Sequence, residues 1–384
     1  MDNLNRTYRP TRNARHAMTL VELLVVVLLL GIIMGIAATA VKNGTKGKKL
    51  REASRQVNAF VAGAQARAIE TGRPVGIEIV RNENEPRAGL QIFLTETPAT
   101  YAGDTTTATL QVTIKGSLQT VSSIRGNYYT FEDKSLDSIS MSFLINNGDY
   151  IQLNFRGEWY KISNFSGGKT FQIFVPQVDN SFNYNYGDPG GDFVRYKIKR
   201  QPIRSSVSPL QMPTDTCVDL AFSGMGIGGQ QFHPWNKTNF SRVVGFTFNS
   251  RGGIDRFNYA DAPGSLDSVR PTGTVYLLVG RYDGLISIAD AEAEAGANYG
   301  DFTSWSANKL KQLLTKEENG ELEDPSNISN PNSIWVTINH LTGKITTSNN
   351  AFIDSTSGTD NDELLAKARR LSKEAYSITG RGGQ

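Results

Sequence analysis

Ala17-Met18-Thr19-Leu20-Val21-Glu22-Leu23-Leu24-Val25-Val26-Val27 opens the stretch on which the reading of this chain turns. From Leu23 to Val41 there are 19 residues without a charge. As a helix rising 1.5 Å per residue they cover about 28 Å, one hydrocarbon core. Arg6, Arg9, Arg12 and Arg15 precede the run, and Lys42, Lys46, Lys48 and Lys49 follow it. The leader is short and holds one carboxylate, Asp2, so the positive-inside rule leaves residues 1–17 in the cytoplasm and carries the rest across the membrane. The apolar run exceeds the ~7–15 residues of a secretory signal. Glu22 lies near its start, where a carboxylate in lipid costs on the order of 2.5 kcal/mol and marks function by default. Two plainer readings stay open. Glu22 can sit at the lipid interface without a role, and Ala38-Thr39-Ala40 has the small-x-small form of a signal peptidase site that would release a chain starting at Val41.

The segment from Ala17 to Val27 resembles the prepilin-type cleavage and methylation signal of type IV pilins and type II secretion pseudopilins. The resemblance implies that a prepilin peptidase cuts between Ala17 and Met18 on the cytoplasmic face and methylates Met18. It also implies that Glu22 takes the family's fifth-position glutamate, pairing with the N-terminal amine of a neighbouring subunit, with Thr19 and Leu20 in the same assembly segment. Ala17 departs from the family's usual Gly. Ala is the smallest substitute, so slower processing is expected rather than none. Ala64-Gln65-Ala66-Arg67-Ala68-Ile69 running through Gly72 and Pro74 into Val75, Ile77 and Ile79 is similar to the helix-to-first-strand passage of the GspH/FimT minor pseudopilins.

Beyond the apolar run, Leu50, Ala53, Val57, Phe60 or Val61, Ala64 and Ala68 recur at three- and four-residue steps, one apolar stripe on an amphipathic helix. Gly72 and Pro74 close it. Gly44 and Gly47 are positions where the helix could break or bend. After Pro74 the apolar period changes to two: Ile77 and Ile79, Ile92 and Leu94, Leu110, Val112 and Ile114. Ile151, Leu153 and Phe155 read through Arg156-Gly157 into Trp159 as a hairpin. Further strands are expected at 170–175, 193–199, 217–222, Val243–Phe248, Thr274–Val279, Ile334–Asn339 and Lys344–Thr347. The expected fold is α+β: a long N-terminal helix, membrane-spanning in its first half, packed on a mostly antiparallel β-sheet body read as one domain. The segments are a leader (1–17), a transmembrane half-helix (18–41), an amphipathic half-helix (42–73), a β-rich pilin-like body (74–354), and a polar C-terminal helix and tail (355–384). The chain is about twice the usual length of the family it resembles. Insertions are therefore expected near 179–192, 230–235 and 281–332, on the surface.

Composition supports a β-rich, turn-rich body: 384 residues, 20% of them charged, with 37 glycines. The net charge of +3 is held entirely by residues 1–17, which is too little basic charge to make nucleic acid the main partner. A single cysteine, Cys217, rules out an intramolecular disulfide and any multi-cysteine zinc site. With only His16, His233 and His340 available, most hydrolase and metalloenzyme sites are disfavoured.

Weaker motifs give way to plain readings. Gly224-Met225-Gly226-Ile227-Gly228-Gly229 fits GxGxxG, but no helix pattern follows, so a loop is expected rather than a nucleotide site. Asp179, Asp188 and Asp192 could gather around calcium, though not at EF-hand spacing. No cofactor is otherwise expected. His233 and His340 read as loop histidines, and Cys217 as a small buried residue. Residues 360–377 form an amphipathic helix with Leu364, Leu365, Ala368 and Leu371 on one face, its basic end at Lys367, Arg369, Arg370 and Lys373 suiting the helix dipole and solvent. The tail Gly380-Arg381-Gly382-Gly383 lacks the second Arg of the Gly-Arg-x-Arg motif found in related DNA-uptake pilins, so DNA is not expected as a partner.

The resulting reading is a structural subunit and not an enzyme: a minor pseudopilin of a type II secretion pseudopilus. It is expected in the cytoplasmic (inner) membrane as a single-pass protein, with its body on the periplasmic side, and in a filament. The partners implied are prepilin peptidase, other pilin or pseudopilin subunits, the membrane, and the secretion or pilus machinery. One alternative is a type IV pilus minor pilin for adhesion or DNA uptake. Another is a secreted or anchored carbohydrate-binding or hydrolytic β domain using residues 179–235, with Tyr184, Tyr186, Phe232 and Trp235 clustered there.

Overall fold

A computed structural model describes residues 20–121, 124–133, 143–165, 167–176, 193–227, 230–232, 243–262, 265–286, 317–318, 321–322, 325–351 and 365–373; for part of these, 35–46 among them, it describes the backbone alone. Two compact units divide the chain between Lys48 and Lys49. Helical backbone runs over Leu20–Thr71, through Gly44 and Gly47 without a break. It ends where Thr71 Oγ1 donates to the Arg67 carbonyl (2.7 Å) and Gly72 takes the left-handed conformation of a helix C-cap, φ 66°.

From Lys49 the helix belongs to the larger unit. Leu50, Ala53, Val57, Val61, Ala64 and Ala68 are all buried in one core with Ile77, Phe246 and Leu277 of the sheet. Of the two candidates at 60 and 61, Val61 is buried and Phe60 packs at the edge. Three alanines on the stripe let the helix backbone come close to the sheet, so the interface tolerates no larger or charged group. At the C-terminal end, Gln65 Nε2 donates to the carbonyls of Gly252 (2.8 Å) and Gly343 (3.0 Å), clasping two sheet turns to the helix. Gly343 has φ 66°, and a Cβ there would collide with the Gly252 carbonyl, so the clasp requires glycine. Val57→Asp is expected to destabilise the body by about 4 kcal/mol or more, because it buries an unpaired carboxylate at a site with no exposure. Limited proteolysis and urea unfolding of the full chain in detergent check this; a parental unfolding midpoint would mean that the stripe is not part of the fold.

Among the described residues the larger sheet has twelve strands, and its main path is antiparallel throughout. In spatial order the path runs Ser265–Val269, Ile254–Ala262, Val243–Phe248, Val75–Arg81, Ala88–Glu96, Thr216–Met225, Val275–Arg281, Ile334–Ile338 and Ile345–Asn349. The short strands Ile203–Arg204 and Leu210–Gln211 also pair with Ala88–Glu96. Thr216–Met225, Val275–Arg281 and Ile334–Ile338 are buried at every position, so these strands are covered on both faces. One face meets the long helix. On the other, residues 365–373 form a helix that buries Leu365, Ala368 and Arg369. Arg369 donates to the carbonyls of Phe222 (2.8 Å) and Gly226 (3.0 Å) and lies 5.5 Å from the Tyr276 ring centre. This corrects the expectation of a solvated helix with an exposed basic end: Lys367 and Arg370 are exposed, but Arg369 is enclosed, with the carbonyls of Phe222 and Gly226 accepting from its guanidinium.

A second sheet occupies the chain between Glu96 and Ile203, two residues that pair with each other in the first sheet. Its strands are Leu110–Val121, Ile124–Asp133, Thr170–Pro176, Trp159–Ser163, Tyr150–Leu153 and Tyr196–Lys199, antiparallel neighbours in that order. Phe193–Val194 then returns to Leu110 and Gln111. Only Arg195 separates Phe193–Val194 from Tyr196–Lys199, so the first and last strands of this sheet share one extended run and the sheet closes as a barrel. Its interior is a hydrophobic core of its own, including Leu110, Phe131, Ile151, Ile162, Phe171 and Ile198. The body is thus one unit by packing but contains, among the described residues, two large cores. The barrel enters and leaves the main sheet at one paired position, the mark of an insertion. Residues 179–192, 233–235 and 287–316, with Asp179, Asp188, Asp192, Tyr184, Tyr186 and Trp235 among them, lie outside the described residues.

Locally, Phe155 is a turn residue with φ 58° rather than the last strand position, and it is half exposed. Tyr150–Leu153 and Trp159–Ser163 form the expected hairpin around it. Met225 and Gly226 lead from Thr216–Met225 into a turn, and Gln230–Gln231 pairs back on that strand. Gly224 and Met225 thus end a strand, Gly226 and Ile227 begin a turn, Gly228 and Gly229 lie outside the described residues, and the next described element is a strand rather than the helix a phosphate cradle needs.

Candidate functional site

Leu20 opens the described helix, and Glu22 lies in its first turn. Ala17, Met18 and Thr19, the expected cleavage, methylation and assembly positions, precede the described residues. In the smaller unit the apolar side chains from Leu20 to Met34 are all exposed, from 40% at Val26 to 81% at Leu20. They occur on every side of the helix rather than as a stripe. A helix apolar all round is stable only when surrounded by lipid or by other helices. Among the described residues no helix is long and apolar enough to cross a membrane. The described side chains of the apolar run end at Met34, and the sequence continues it to Val41.

The remaining chemistry is internal. Asp219 is fully buried in Thr216–Met225. Its Oδ1 accepts from the Ala221 N–H (3.1 Å), and its Oδ2 accepts from Asn327 Nδ2 (3.0 Å). Asn327 Oδ1 also accepts from the Arg281 N–H (2.8 Å), tying this strand to the next. Burial pushes the Asp219 carboxyl up to about 6, against the hydrogen bonds that hold it down. A raised acid favours the folded state below the ordinary carboxylate range and loses that contribution as pH rises through the folded value. Burial also raises Glu85 and Asp149, which adds to the same trend. Stability is therefore expected to fall between about pH 4 and pH 7, and Asp219→Asn to flatten part of that slope in melting temperatures measured across the range. An unchanged slope would assign the effect to other groups.

Cys217 is fully buried, and burial raises its thiol well above the usual range, which makes it inert. Phe232 is buried and stacked on Phe257 at 4.8 Å, so it is a core residue rather than the surface platform a carbohydrate site at 179–235 would need. His340 sits at a turn whose carbonyl accepts from the Ile254 N–H. Among the described residues no cluster of His, Cys, Asp and Glu could hold a metal ion. Neither the Asp219–Asn327 network nor the barrel was legible in the sequence. The only local sign of the first was a lone Asp in an apolar strand.

Residues 12–38 match the family described as the prokaryotic N-terminal methylation motif. No curated protein and no solved structure matches the chain. The motif covers the expected cut at Ala17 and Met18 and the glutamate at 22. It supports a type IV pilin-like or pseudopilin subunit, a structural protein that prepilin peptidase processes and that assembles with other pilin subunits.

Proposed function

We propose that the chain is a minor pseudopilin of the GspH/FimT type, cut between Ala17 and Met18, methylated at Met18, and built into the pseudopilus of a type II secretion system. The observation that carries this reading is the methylation motif at residues 12–38, continuous with an apolar helix exposed on all sides. The helix holds the subunit in the inner membrane until neighbouring helices replace the lipid around it. Glu22, Thr19 and Leu20 lie in the assembly segment, and Glu22 takes the amine of a neighbour's Met18 as its counter-ion. The body stays on the periplasmic side.

The inserted barrel favours a second reading, a type IV pilus minor pilin for adhesion. A separate core between Glu96 and Ile203 adds surface that packing the long helix does not require.

Intact mass and N-terminal sequencing of the full chain, co-expressed with a prepilin peptidase, test the common part of both readings. A methylated Met18 start is expected. A chain starting at Val41, or an uncut Met1, would overturn both. Deleting the gene and measuring secreted enzymes against surface pili then separates the two machines.

A further inference from the structure

The strands Leu110–Val121 and Ile124–Asp133 stay paired as far as Val121 and Ile124. Their outer neighbours stop earlier. Phe193–Val194 meets the first strand only at Leu110 and Gln111, and Thr170–Pro176 follows the second only as far as Gly126. Beyond the pair Gln119 and Gly126 the ribbon therefore has no third strand beside it among the described residues. Residues opposite each other in an antiparallel pair share a face. Leu118 shares one with Asn127, and Val121 and Ile124 share the other with Gln119 and Gly126. Leu118 is 45% and Ile124 49% exposed, and Val121 is partly exposed. The tip is thus apolar on both faces. A protein lying against one side of a ribbon accounts for one apolar face, whereas a lipid interface surrounds a tip and accounts for both.

Charge and aromatic groups are ordered along the same axis. From Thr105 to Phe131 the chain holds no Asp or Glu, and its charged residues are Lys115 and Arg125, both exposed. Lys115 Nζ lies 5.9 Å from the Tyr129 ring centre. At the root of the ribbon the rings of Tyr128 and Phe174 are 5.3 Å apart, and a Cβ on Gly126 would run into Phe174. From tip to root the ribbon presents aliphatic, then cationic, then aromatic side chains. A bilayer surface offers matching layers: acyl chains, anionic headgroups, and the interfacial zone that Tyr favours.

We propose that this ribbon is a second membrane contact, separate from the N-terminal helix: its tip enters the surface of a bilayer containing anionic phospholipid, with Leu118, Val121 and Ile124 at the acyl boundary and Lys115 and Arg125 at the phosphates. The inference gives the inserted barrel a binding surface and does not rest on the pilin reading, since its test depends on neither processing nor assembly.

The full chain is held in phosphatidylcholine nanodiscs, so that its N-terminal helix is already in lipid. It is then floated with added vesicles of phosphatidylcholine alone or of phosphatidylcholine and phosphatidylglycerol at roughly 2:1. Flotation with the anionic vesicles is expected, falling as salt rises, and little with the neutral ones. Arg125→Gln is expected to weaken binding about fivefold, the effect of one basic residue near an anionic surface. Leu118→Ser combined with Ile124→Ser is expected to weaken it about tenfold or more. These side chains are exposed, so melting temperatures should stay at the parent's and report that the barrel is intact. A second measurement follows the tip itself. Cys217 is fully buried, so Ile124→Cys supplies the accessible thiol for an environment-sensitive dye, whose emission should move to shorter wavelength on anionic vesicles. Four outcomes would overturn the proposal: no flotation with anionic vesicles, equal flotation with neutral ones, parental flotation of the folded double variant, or a dye that ignores vesicles and shifts only with a second, unlabelled copy of the chain.

Discussion

Glu22→Ala is expected to leave membrane insertion and cleavage after Ala17 intact while removing the subunit from filaments. Insertion depends on the apolar run from Leu23 to Val41, and deleting a carboxylate from its start only makes it more apolar. Assembly is different. A lone carboxylate in lipid costs on the order of 2.5 kcal/mol, and a partner amine within hydrogen-bond reach offsets that cost and sets the stagger between adjacent helices. Without it the helices can still touch, since their surfaces are apolar all round from Leu20 to Met34, but nothing selects one register. The measurement is the fraction of processed protein found in sheared filaments. A drop of at least about tenfold is expected from losing one desolvated ion pair, while the mass of the processed chain should change only by the substitution. Parental incorporation would sink the pairing. Glu22→Asp is expected to restore assembly in part, because the charge remains but its reach shortens.

Arg369→Ala is expected to cost about 3–4 kcal/mol of stability. The substitution leaves the Phe222 and Gly226 carbonyls without their donor, removes the guanidinium from the Tyr276 ring, and empties a fully buried space. Burial lowers this guanidinium to about 10, so the site already strains its charge, and only the two carbonyls and the ring make it tolerable. Arg369→Lys is expected to fall between the parent and the alanine variant, since an ammonium cannot span both carbonyls in the same fork. Urea unfolding followed by tryptophan fluorescence reads the effect, because Trp335 is fully buried in the strand beside Tyr276. A loss below about 1 kcal/mol in Arg369→Ala would mean that the 365–373 helix does not hold this face of the sheet.

Several elements were legible because short-range chemistry determines them. The helix stripe from Leu50 to Ala68 follows from a 3.6-residue period, and the strands around Ile77, Ile92, Val243–Phe248 and Ile334 from a period of two. The methylation signal needs only consecutive residues. Other features depended on partners far away in the chain. Ile77 and Ile79 face the long helix, whereas Ile151 and Leu153 face the barrel interior, yet the two pairs have the same alternation. A period of two reports that one face is buried; it does not report against what. The division into two cores is decided by the pairing of Glu96 with Ile203 and of Leu110 with Val194.

Arg369 shows the same limit from the polar side. In an amphipathic helix with Lys367 and Arg370 it reads as solvated, because burying a guanidinium is costly unless donors and acceptors match, and the matching carbonyls belong to residues more than a hundred positions earlier. The sequence by itself determined the N-terminal signal, the helix and most of the strands, since these follow from local charge, hydrophobicity and period. Tertiary structure alone decided which strands share a sheet, that the chain between Glu96 and Ile203 closes into a barrel, and that Arg369 and Asp219 have the surroundings they do, because each of these depends on long-range contacts that no local pattern encodes.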